Sequence, residues 1–510
     1  MAYNRSSKMK VQLYVPPQGY VAQRWEEGGS MSPLGILYLA AVLEEAGIGV
    51  DVVPADVLRL NWKDVRKRIE DYGPDLVGGT TTSENRFDSF RLAQVAKSVN
   101  SEIVTVLGGP HISMAREDTL LHVPDVDIIV LGEGERTLPA LVRTLERKGD
   151  LGKVPGLMFR RNGDIVDNGP CARIEDLDSL PFPARHLVPM EKYNFTIKMP
   201  DGTKLKAQNI ITSRGCPFDC YFCATPINWG RRMRGMSPER VLEEMEHLID
   251  RYGAEFIWFY DDTFNYNPER VHAIMDLILE RKLDIKFGNE FRIDAVDRPL
   301  LEKMVRAGLV WGHFGVEAGN VRVRRDVVHK RFDIERAYEF VRLAGELGFT
   351  PNAFLIYSHD TETWEEAGET LAIIDRMKDI NPDTQVATAL LHIYPGTPLE
   401  AIAKEKGIIP GDFSWARKKD MKRVVVLPAA QGHVPLFKDK LSWFQIAELV
   451  FRGAGDQGSA FSWSKVKAVL RTISSVRVVF IYTAFIFIWF KNKLFGKKSK
   501  RPPRPSIQIN

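Results

Sequence analysis

Along residues 10–150, short apolar runs alternate with longer stretches in which apolar residues recur every three or four positions. The runs are KVQLYV, GVDVVPA, DLVGGTTTS, EIVTVLGGPH and DIIVLGEGE, and the helical stretches include SPLGILYLAAVLEEAG and RFDSFRLAQVAKSV. Continuous Val, Ile and Leu runs separated by helices are typical of a parallel sheet covered on both faces. We therefore predict a doubly wound, Rossmann-like α/β domain over residues 1–150.

The alternation returns over residues 206–420, with the strand candidates QNIITS, FIWFYDD, IKFGNEF, WGHFGVEAG, TPNAFLIY and VATALLHIYPG. Six βα units predict a partial (β/α)6 TIM barrel, in which reactive groups lie at the C-terminal ends of the strands. The intervening stretch, 151–205, is rich in proline and charge and has no clear period. It is predicted to be a linker.

From residue 421 to residue 510 the pattern predicts an α-helical C-terminal extension. Its residues 478–490 are thirteen uncharged, strongly apolar residues, fewer than the roughly 20 that span a bilayer. Their many aromatics and the basic tail behind them are typical of a segment that lies on a membrane surface. We expect peripheral association with the inner face of the membrane; burial within a soluble protein and a true span are the alternatives.

The net charge of +4 comes from the tail, because residues 491–510 carry seven Lys and Arg and no acid. Removing those seven charges from +4 leaves about −3 for the rest, so charge predicts no nucleic-acid partner. Four cysteines are too few for a disulfide scaffold. The N-terminal residues lack the apolar stretch and cleavage site of a secretory signal. These features predict a cytoplasmic protein.

Small residues follow three successive strands of the predicted first domain. The candidates for ligand contact are Thr81, Ser83, Gly108, Gly109, Gly132 and Gly134. In a doubly wound sheet, ligands bind beyond the C-terminal strand ends, where small residues allow close approach and hydroxyls can donate or accept hydrogen bonds. A large flat ligand is the prediction, and the alternative is that the glycines only form tight βα turns.

The stretch SRGCPFDCYFCATP holds Cys216, Cys220 and Cys223, three of the four cysteines in the chain. An electron-transfer cluster of four irons uses four cysteines, so three would leave one iron open to another ligand. Structural zinc needs a fourth protein ligand, yet no cysteine or histidine follows Cys223 before His247. Cys171 lies 45 residues upstream of Cys216, where a small buried residue is the simpler interpretation.

This C-x3-C-x2-C spacing after a predicted strand resembles the radical SAM superfamily, and Phe222 before the last cysteine matches the family pattern. The resemblance implies a [4Fe-4S] cluster whose open iron binds S-adenosylmethionine (SAM). It also implies one-electron reduction by a flavodoxin- or ferredoxin-type donor and formation of a 5′-deoxyadenosyl radical.

Further positions correspond to the family's SAM-binding groups one by one. Asp261 and Asp262 in FYDDTFN fit the place near the SAM amino group, with helix capping as the alternative for Asp262. Arg292 in FRID resembles the arginine that contacts the SAM carboxylate, and Glu317 in FGVEAG the glutamate that binds the ribose hydroxyls. The fifth strand is followed by YSHDTET, from which Tyr357, His359 and Asp360 could face the substrate. The preferred interpretation of His359 is a solvated turn residue.

A doubly wound domain ahead of this barrel resembles the cobalamin-binding subclass, whose pattern SPLGILYLAAVLEEAG, GGPH and LGEGE match. The resemblance covers residues 10–420. The stretch ADVLRLN has neither the histidine nor the glycine of the cobalt-ligating D-x-H-x-x-G loop, which implies cobalamin without a histidine ligand. A degenerate domain without cofactor is the alternative, and a nicotinamide cofactor fits worse because no G-x-G-x-x-G follows the first strand.

The resemblance implies a cobalamin-dependent radical SAM enzyme. The leading hypothesis is a C-methyltransferase acting on an unactivated carbon of a small hydrophobic substrate, with lipids, isoprenoids and tetrapyrroles as candidates suggested by the membrane-binding tail. An oxidative cyclase or hydroxylase of the anaerobic porphyrin-cyclase type is the second hypothesis. A non-catalytic cobalamin-binding or membrane scaffold protein is the third.

Overall fold

The computed structural model describes residues 8–17, 30–199, 201–426 and 433–453. They form two seven-stranded sheets, each with its own covering of helices, and one two-stranded ribbon. Residues 454–510 lie outside the described part, and with them the predicted membrane-binding run 478–490 and the basic tail.

The first sheet has the strand order β2-β1-β3-β4-β5-β6-β7. Its strands are β1 (Lys10–Val15), β2 (Gly49–Pro54), β3 (Leu76–Thr80), β4 (Val104–Gly108), β5 (Ile128–Val130), β6 (Leu157–Arg161) and β7 (Asp164–Asp167). Strands β1 to β5 are parallel, whereas β6 and β7 are antiparallel additions at one edge.

Five helices connect these strands and lie on both faces of the sheet. They are α1 (Leu34–Glu45), α2 (Trp62–Tyr72), α3 (Arg86–Val99), α4 (Pro110–His122) and α5 (Gly134–Glu146). Apolar residues of α1 and α5 pack on one face, and Val65 and Ile69 of α2 pack with Leu92 of α3 on the other. The predicted doubly wound fold is confirmed, since only a sheet buried on both sides needs such continuous apolar strands.

The second sheet has the order β16-β15-β14-β13-β12-β9-β8. Its strands are β8 (Thr196–Lys198), β9 (Lys204–Ile210), β12 (Phe256–Phe259), β13 (Lys286–Phe291), β14 (Leu309–Glu317), β15 (Thr350–Tyr357) and β16 (Gln385–Leu390). The ribbon consists of β10 (Ser213–Arg214) and β11 (Arg234–Gly235). All strands of the sheet from β9 onward are parallel, as predicted for a six-unit partial barrel.

The helices that follow these strands are α6 (Thr225–Trp229), α7 (Pro238–Tyr252), α8 (Pro268–Glu280), α9 (Arg298–Arg306), α10 (Ile334–Leu347), α11 (Trp364–Ile380) and α12 (Pro398–Glu405). Side chains alternate along the strands: Phe259, Phe287 and Phe314 face the core beneath the helices. Their neighbours Trp258 and His313 line the opposite, concave face. Because β8 and β16 are the two edges, the sheet does not close into a full barrel.

The stretch 151–205, expected to be a linker, contains elements of both sheets. Strands β6 and β7 extend the first sheet, and β8 pairs antiparallel with β9 in the second. Between β6 and β7 stand Asn162 and Gly163, both with positive φ (53° and 93°), which is the backbone of a tight hairpin turn.

After α12 the chain contacts the first domain, where the Ala416 N–H donates to Asp118 Oδ2 of α4 (3.0 Å). Leu436 then pairs with His392, which follows β16, in an isolated antiparallel bridge. Helix α13 (Trp443–Gly453) packs on α11 and β16. Within the described ranges, we find no helix with the length and apolar character needed to cross a bilayer.

Candidate active site at the facing strand ends

The C-terminal strand ends of the two sheets face each other. Tyr394, after β16, donates a hydrogen bond from its hydroxyl to Glu84 Oε1, after β3 (3.1 Å). A Cβ added at Gly396 would lie 3.7 Å from Met114 of α4, so the turn after β16 packs directly on the first domain. Any ligands bound at the two edges are therefore neighbours.

The three cysteines of the predicted cluster site lie in the loop between β10 and α6. The loop is folded by its own backbone: the Cys216 N–H donates to Gly230 O and the Cys223 N–H to Cys220 O, both at 3.0 Å. Gly215 precedes it with φ of +105°, and a Cβ there would fall 2.2 Å from Arg232 O, so only glycine fits. The three thiols are half-buried and form no disulfide.

Burial affects the protonation of two of these thiols. Burial raises the pKa of the Cys220 thiol to about 11 and also raises the pKa of Cys223, which disfavours the thiolate form of both. In the described part of the chain, no three His, Cys, Asp or Glu side chains converge on one ion position. A four-iron cluster does not require convergence, because each thiolate binds a different iron.

The fourth cysteine stays outside this loop. A Cβ added at Gly156 would lie 3.0 Å from Cys171 Cβ, which places Cys171 against the first sheet. The loop that follows Gly215 therefore holds three thiols and no fourth cysteine. This set of ligands fits a [4Fe-4S] cluster in which one iron is open for SAM.

Asp261 joins the cysteine loop to the end of β12. Its carboxylate accepts hydrogen bonds from the Thr212 N–H (2.7 Å), Thr212 Oγ1 (2.7 Å) and Ser213 Oγ (2.6 Å). The side chain is fully buried, and this burial raises its pKa despite those bonds and the nearby Arg270. Both carboxylate oxygens thus accept hydrogen bonds from the protein, so Asp261 holds the start of the cysteine loop in place and does not face the cleft.

Asp262, predicted beside it, turns toward the cleft. Thr225 Oγ1 donates to Asp262 Oδ1 (2.9 Å), which links the end of β12 to the start of α6. The side chain is exposed on its cleft side. The protein packed around its other sides removes water from the carboxyl, and this desolvation, together with the negative charges of Asp261 and Glu290, raises its pKa to about 6. Of the two predicted aspartates, only Asp262 presents an accessible carboxylate to a ligand.

Arg292 lies against the cysteine loop. Its guanidinium stacks 3.6 Å from the ring centroid of Phe218, between Cys216 and Cys220, and also pairs with Asp294 (2.5 Å). The positive charge therefore lies beside the thiols, and it acts to lower the pKa of Cys220. This position suits a cation that binds the carboxylate of a ligand on the open iron.

Glu317 ends β14 in a strained conformation. Its φ is +67°, in the left-handed region that non-glycine residues seldom adopt, at an irregularity of the β14–β15 pairing. Lys330 Nζ donates to Glu317 Oε1 (2.7 Å) and to Gly315 O (2.9 Å). The role of Lys330 was not predicted from the sequence, because it lies thirteen residues after Glu317 and no local pattern links the two positions.

The expectation that His359 is a solvated turn residue was wrong. Its side chain is buried, and Nδ1 lies 3.2 Å from the hydroxyl of Tyr221 in the cysteine loop. Burial lowers the pKa of His359 to about 4, so the ring is neutral. Of its neighbours, Tyr357 is buried in the helix-facing core and Asp360 forms an ion pair with Lys406. The burial arises because the turn after β15 packs under the loop.

Glu362 fixes the backbone of that turn. Its carboxylate accepts from the backbone N–H groups of Ser358 (2.8 Å) and His359 (3.1 Å). Its burial raises the pKa of the carboxyl to about 7. Phe222, predicted to contact the cofactor, packs its ring near Tyr221 and His359, with centroids 5.8 and 6.3 Å away.

At the edge of the first sheet, the predicted small residues have different surroundings. A Cβ at Gly109 would meet backbone atoms of Thr81 at 2.9 Å, and one at Gly134 would meet Leu39 at 3.0 Å. The protein's own packing therefore accounts for both glycines. Gly108 has only ordinary contacts with Val130, and Gly132 has open space around it and a φ of +71°.

Two buried polar atoms at this edge lack partners within the described residues. They are Thr81 Oγ1 and Nε2 of His111, a residue not singled out from the sequence except within GGPH. Ser83 Oγ lies 3.0 Å from the other nitrogen of His111, and burial lowers the pKa of that histidine. Unpaired buried polar atoms at the ligand-binding edge of a doubly wound sheet fit a polar cofactor such as cobalamin.

A buried charge cluster, the interdomain clamp, connects the two edges. It consists of Glu133 and Glu135 after β5 with Arg214 and Arg234 of the ribbon that flanks the cysteine loop. Glu135 pairs with Arg214 at 2.6 Å and Glu133 with Arg234 at 2.7 Å, and each side chain is at most 8% exposed. Burial alone would raise the pKa of Glu133, but hydrogen bonds from Arg234 and the Ile174 N–H outweigh it and lower that pKa.

Inside the half-barrel lies a pocket of about 490 Å³. Aromatic rings form much of its wall, and Glu290 of β13 and His313 of β14 lie among them. Its lining is Met31, Phe195, Thr196, Ile197, Lys198, Trp258, Tyr260, Glu290, Trp311, His313, Asn352 and Phe354. None of these residues was predicted as functional, although their alternation with core-facing residues could have shown that they face the concave side.

Two family models match the chain. Residues 210–374 match the Radical SAM superfamily and residues 26–142 the B12 binding domain. The matched ranges contain the cysteine loop and the edge of the first sheet, respectively.

Known proteins resemble the chain over most of its length. An uncharacterized methyltransferase of Pyrococcus horikoshii is 32% identical over 77% of this chain and 82% of its own. The anaerobic magnesium-protoporphyrin IX monomethyl ester cyclase of Rubrivivax gelatinosus is 30% identical over 73% of this chain and 66% of its own. The solved structure of the cobalamin-dependent S-adenosylmethionine radical enzyme OxsB, with aqua-cobalamin and S-adenosylmethionine bound, covers 95% of this chain and 71% of its own.

That structure is 17% identical with a TM-score of 0.70, so the likeness supports the fold. The two matched family models imply a [4Fe-4S] cluster, SAM and cobalamin as cofactors, and the residues of the site fit them. The chain belongs to the cobalamin-dependent radical SAM enzymes.

Proposed function

We propose that the protein is a C-methyltransferase that acts on an unactivated carbon of a small, largely hydrophobic substrate, such as a lipid, an isoprenoid or a tetrapyrrole. The observation that carries the proposal is the position of the cysteine loop. The ribbon beside the loop is joined to the first domain by the ion pairs of Arg214 and Arg234. At the other end of the loop, Thr225 donates to Asp262, which lies near Glu290 in the wall of the pocket. In this proposal the substrate carbon is held at the Glu290 end of that pocket, beside the cysteine loop.

In this proposal the chain's residues bind and orient the cofactors. Cys216, Cys220 and Cys223 hold the cluster, while Arg292 and Asp262 contact the carboxylate and amino groups of SAM. Glu317, held by Lys330, accepts from the ribose hydroxyls. When bound, the cofactors would supply hydrogen abstraction and the methyl group, because such carbon–hydrogen bonds are too weakly acidic for a side-chain base.

Cobalamin is proposed to bind at the edge formed by Thr81, Ser83, Gly108 and Gly132. Gly109 and Gly134 allow the turns of this edge to pack closely against Thr81 and Leu39. A flavodoxin- or ferredoxin-type donor would deliver the electron. The protein is proposed to work in the cytoplasm at the inner face of the membrane, held by its C-terminal segment.

Oxidative cyclisation is the second candidate function, and the likeness to the cyclase of Rubrivivax gelatinosus favours it. Both reactions would use the same three cysteines. They differ in the fate of the methyl group of SAM, which enters the product only in a methyl transfer.

The test uses the full chain, reconstituted without oxygen with iron, sulfide, cobalamin and a low-potential reductant. SAM carrying a trideuterated methyl group is added to membrane lipids and pigments extracted from cells that lack the protein. We expect a product 17 mass units heavier per methyl group transferred, because CD3 replaces H, together with 5′-deoxyadenosine. Formation of 5′-deoxyadenosine with an unlabelled, oxidised product would indicate the cyclase instead.

The cysteines supply a matched control. Cys220→Ala removes one cluster ligand and should abolish 5′-deoxyadenosine formation, whereas Cys171→Ala, outside the loop, should leave it unchanged. If Cys220→Ala retained SAM cleavage, the assignment of the cluster to this loop would be wrong.

A further inference from the structure

The pocket of the half-barrel contains one carboxylate among aromatic rings. Rings of Trp258, Trp311 and Phe354 surround His313, with centroids 4.6, 6.1 and 5.1 Å from the imidazole. His313 Nδ1 lies 3.2 Å from Glu290 Oε1. The remaining lining combines apolar side chains with the polar groups of Thr196, Lys198 and Asn352, and Glu290 is the one carboxylate among its described residues.

Glu290, His313 and Asn352 form a chain of side-chain contacts. A carboxylate only accepts, so the His313 tautomer with its proton on Nδ1 donates to Glu290 Oε1. In that tautomer Nε2, which lies 3.3 Å from Asn352 Nδ2, accepts from the amide. These two contacts use Oε1 of Glu290 and both ring nitrogens of His313. Oε2 of Glu290 is left as a hydrogen-bond acceptor.

That second oxygen is available to a ligand. The side chain of Glu290 is 31% exposed, compared with 15% for His313, and no protein donor to Oε2 occurs among the described residues. A purely apolar molecule filling the pocket would remove water from this oxygen without replacing its hydrogen bonds, which is unfavourable. A molecule with an O–H or N–H group would replace them.

The pocket is also next to the cofactor site. Glu290 is close enough to Asp262 for its charge to raise the pKa of that carboxyl, and the Phe264 N–H donates to Glu290 O (3.2 Å). Asp262 in turn holds Thr225 at the end of the cysteine loop. Two neighbouring carboxylates also disfavour an anionic group at this end of the pocket.

From these contacts we infer that Glu290 is a specificity-determining residue, and that the substrate is a flat, mostly apolar molecule carrying an O–H or N–H donor that binds Glu290 Oε2. This inference deepens the proposed function, on which it rests for the identification of the pocket as the substrate site. Trp258, Trp311 and Phe354 contact the apolar body, and the donor fixes the orientation of the substrate within the pocket.

A pair of probes isolates the donor. We would titrate the full-length protein, by calorimetry, with 2-naphthalenemethanol and with its methyl ether, which has the same flat body but no O–H. Neither titration requires reduction of a cluster or cleavage of SAM, so its result is independent of the methyl-transfer assay. We expect the alcohol to bind about tenfold more tightly than the ether, the size of one hydrogen bond to a charged acceptor.

Three variants assign that preference to Glu290. Glu290→Gln keeps an acceptor for His313 but loses the charge, and should reduce the preference to about threefold. Glu290→Leu should abolish the preference while the ether still binds. Glu280→Gln, an exposed glutamate at the end of α8, is the matched control and should leave the tenfold preference intact.

Equal binding of both probes to the unmodified protein, no binding of either, or a preference that survives in both Glu290 variants would overturn the inference. The labelled-methyl experiment would remain valid in each of these cases. Conversely, an unlabelled product in that experiment would change the assigned reaction without affecting the probe preference.

Discussion

At Glu362, burial disfavours the ionised carboxylate while backbone hydrogen bonds favour it. Its side chain has no exposed surface, yet its carboxyl accepts two backbone hydrogen bonds that hold the turn containing His359. Because its pKa is raised to about 7, the folded protein binds a proton here that the unfolded chain releases near its usual pKa. The stabilisation is present at low pH and is lost as the pH rises through about 7.

Glu362→Gln should therefore remove a pH dependence. At pH 5 the variant and the unmodified protein should have similar stability, because Glu362 is mostly neutral. At pH 8 the variant should be more stable by roughly 3 kcal/mol, the free energy of a pKa shift from 4.5 to about 7. Thermal unfolding at both pH values measures this difference, and an equal gap at pH 5 and pH 8 would show that the carboxyl does not titrate as described.

Single residues differ in how far the sequence alone predicts their roles. The cysteines were identifiable because three ligands on one short loop define their own chemistry. His359 was misassigned and Lys330 missed because their surroundings depend on contacts with distant segments, the cysteine loop and the end of β14. Burial of a single polar residue is a tertiary property, and local sequence carries no signal for it.

At the scale of elements, the parallel strands and their helices were predictable because both periodicities are strong. The hairpin of β6 and β7 was not predicted, since its strands are short and charged. The Asn162–Gly163 turn was the available signal, because this pair adopts the positive φ values that a tight hairpin needs. The concave pocket could not be derived, because it depends on how far the sheet curls.

The interdomain clamp is the element-level contact whose loss should have the largest effect. Glu133→Gln leaves Arg234 and Arg214 buried with reduced compensation, and we expect it to lower the stability of the folded protein by about 3–5 kcal/mol. Chemical denaturation measures the change. The matched control is Glu175→Gln, which removes an exposed pair with Arg232 in the same region and should cost less than about 1 kcal/mol. Equal losses in the two variants would contradict a buried clamp.

For the whole molecule, the remaining question is where it works. The predicted membrane-binding segment is tested by deleting residues 471–510, which removes the apolar run and the basic tail together. We expect the protein to move from the membrane fraction to the supernatant after cell lysis and centrifugation, because both the apolar and the electrostatic attraction are lost. Unchanged partitioning would mean that the tail does not hold the protein at a bilayer.

The open edge of the half-barrel affects which molecules can be processed. A closed eight-stranded cylinder would admit a substrate only through its mouth, so the whole molecule would have to fit inside. Within the described residues β8 and β16 do not pair, so the sheet is open on the side between them. A substrate larger than the pocket can then insert its flat, donor-bearing end beside Glu290 and leave the remainder outside, so the volume of 490 Å³ limits the part that lies in the pocket rather than the size of the whole molecule.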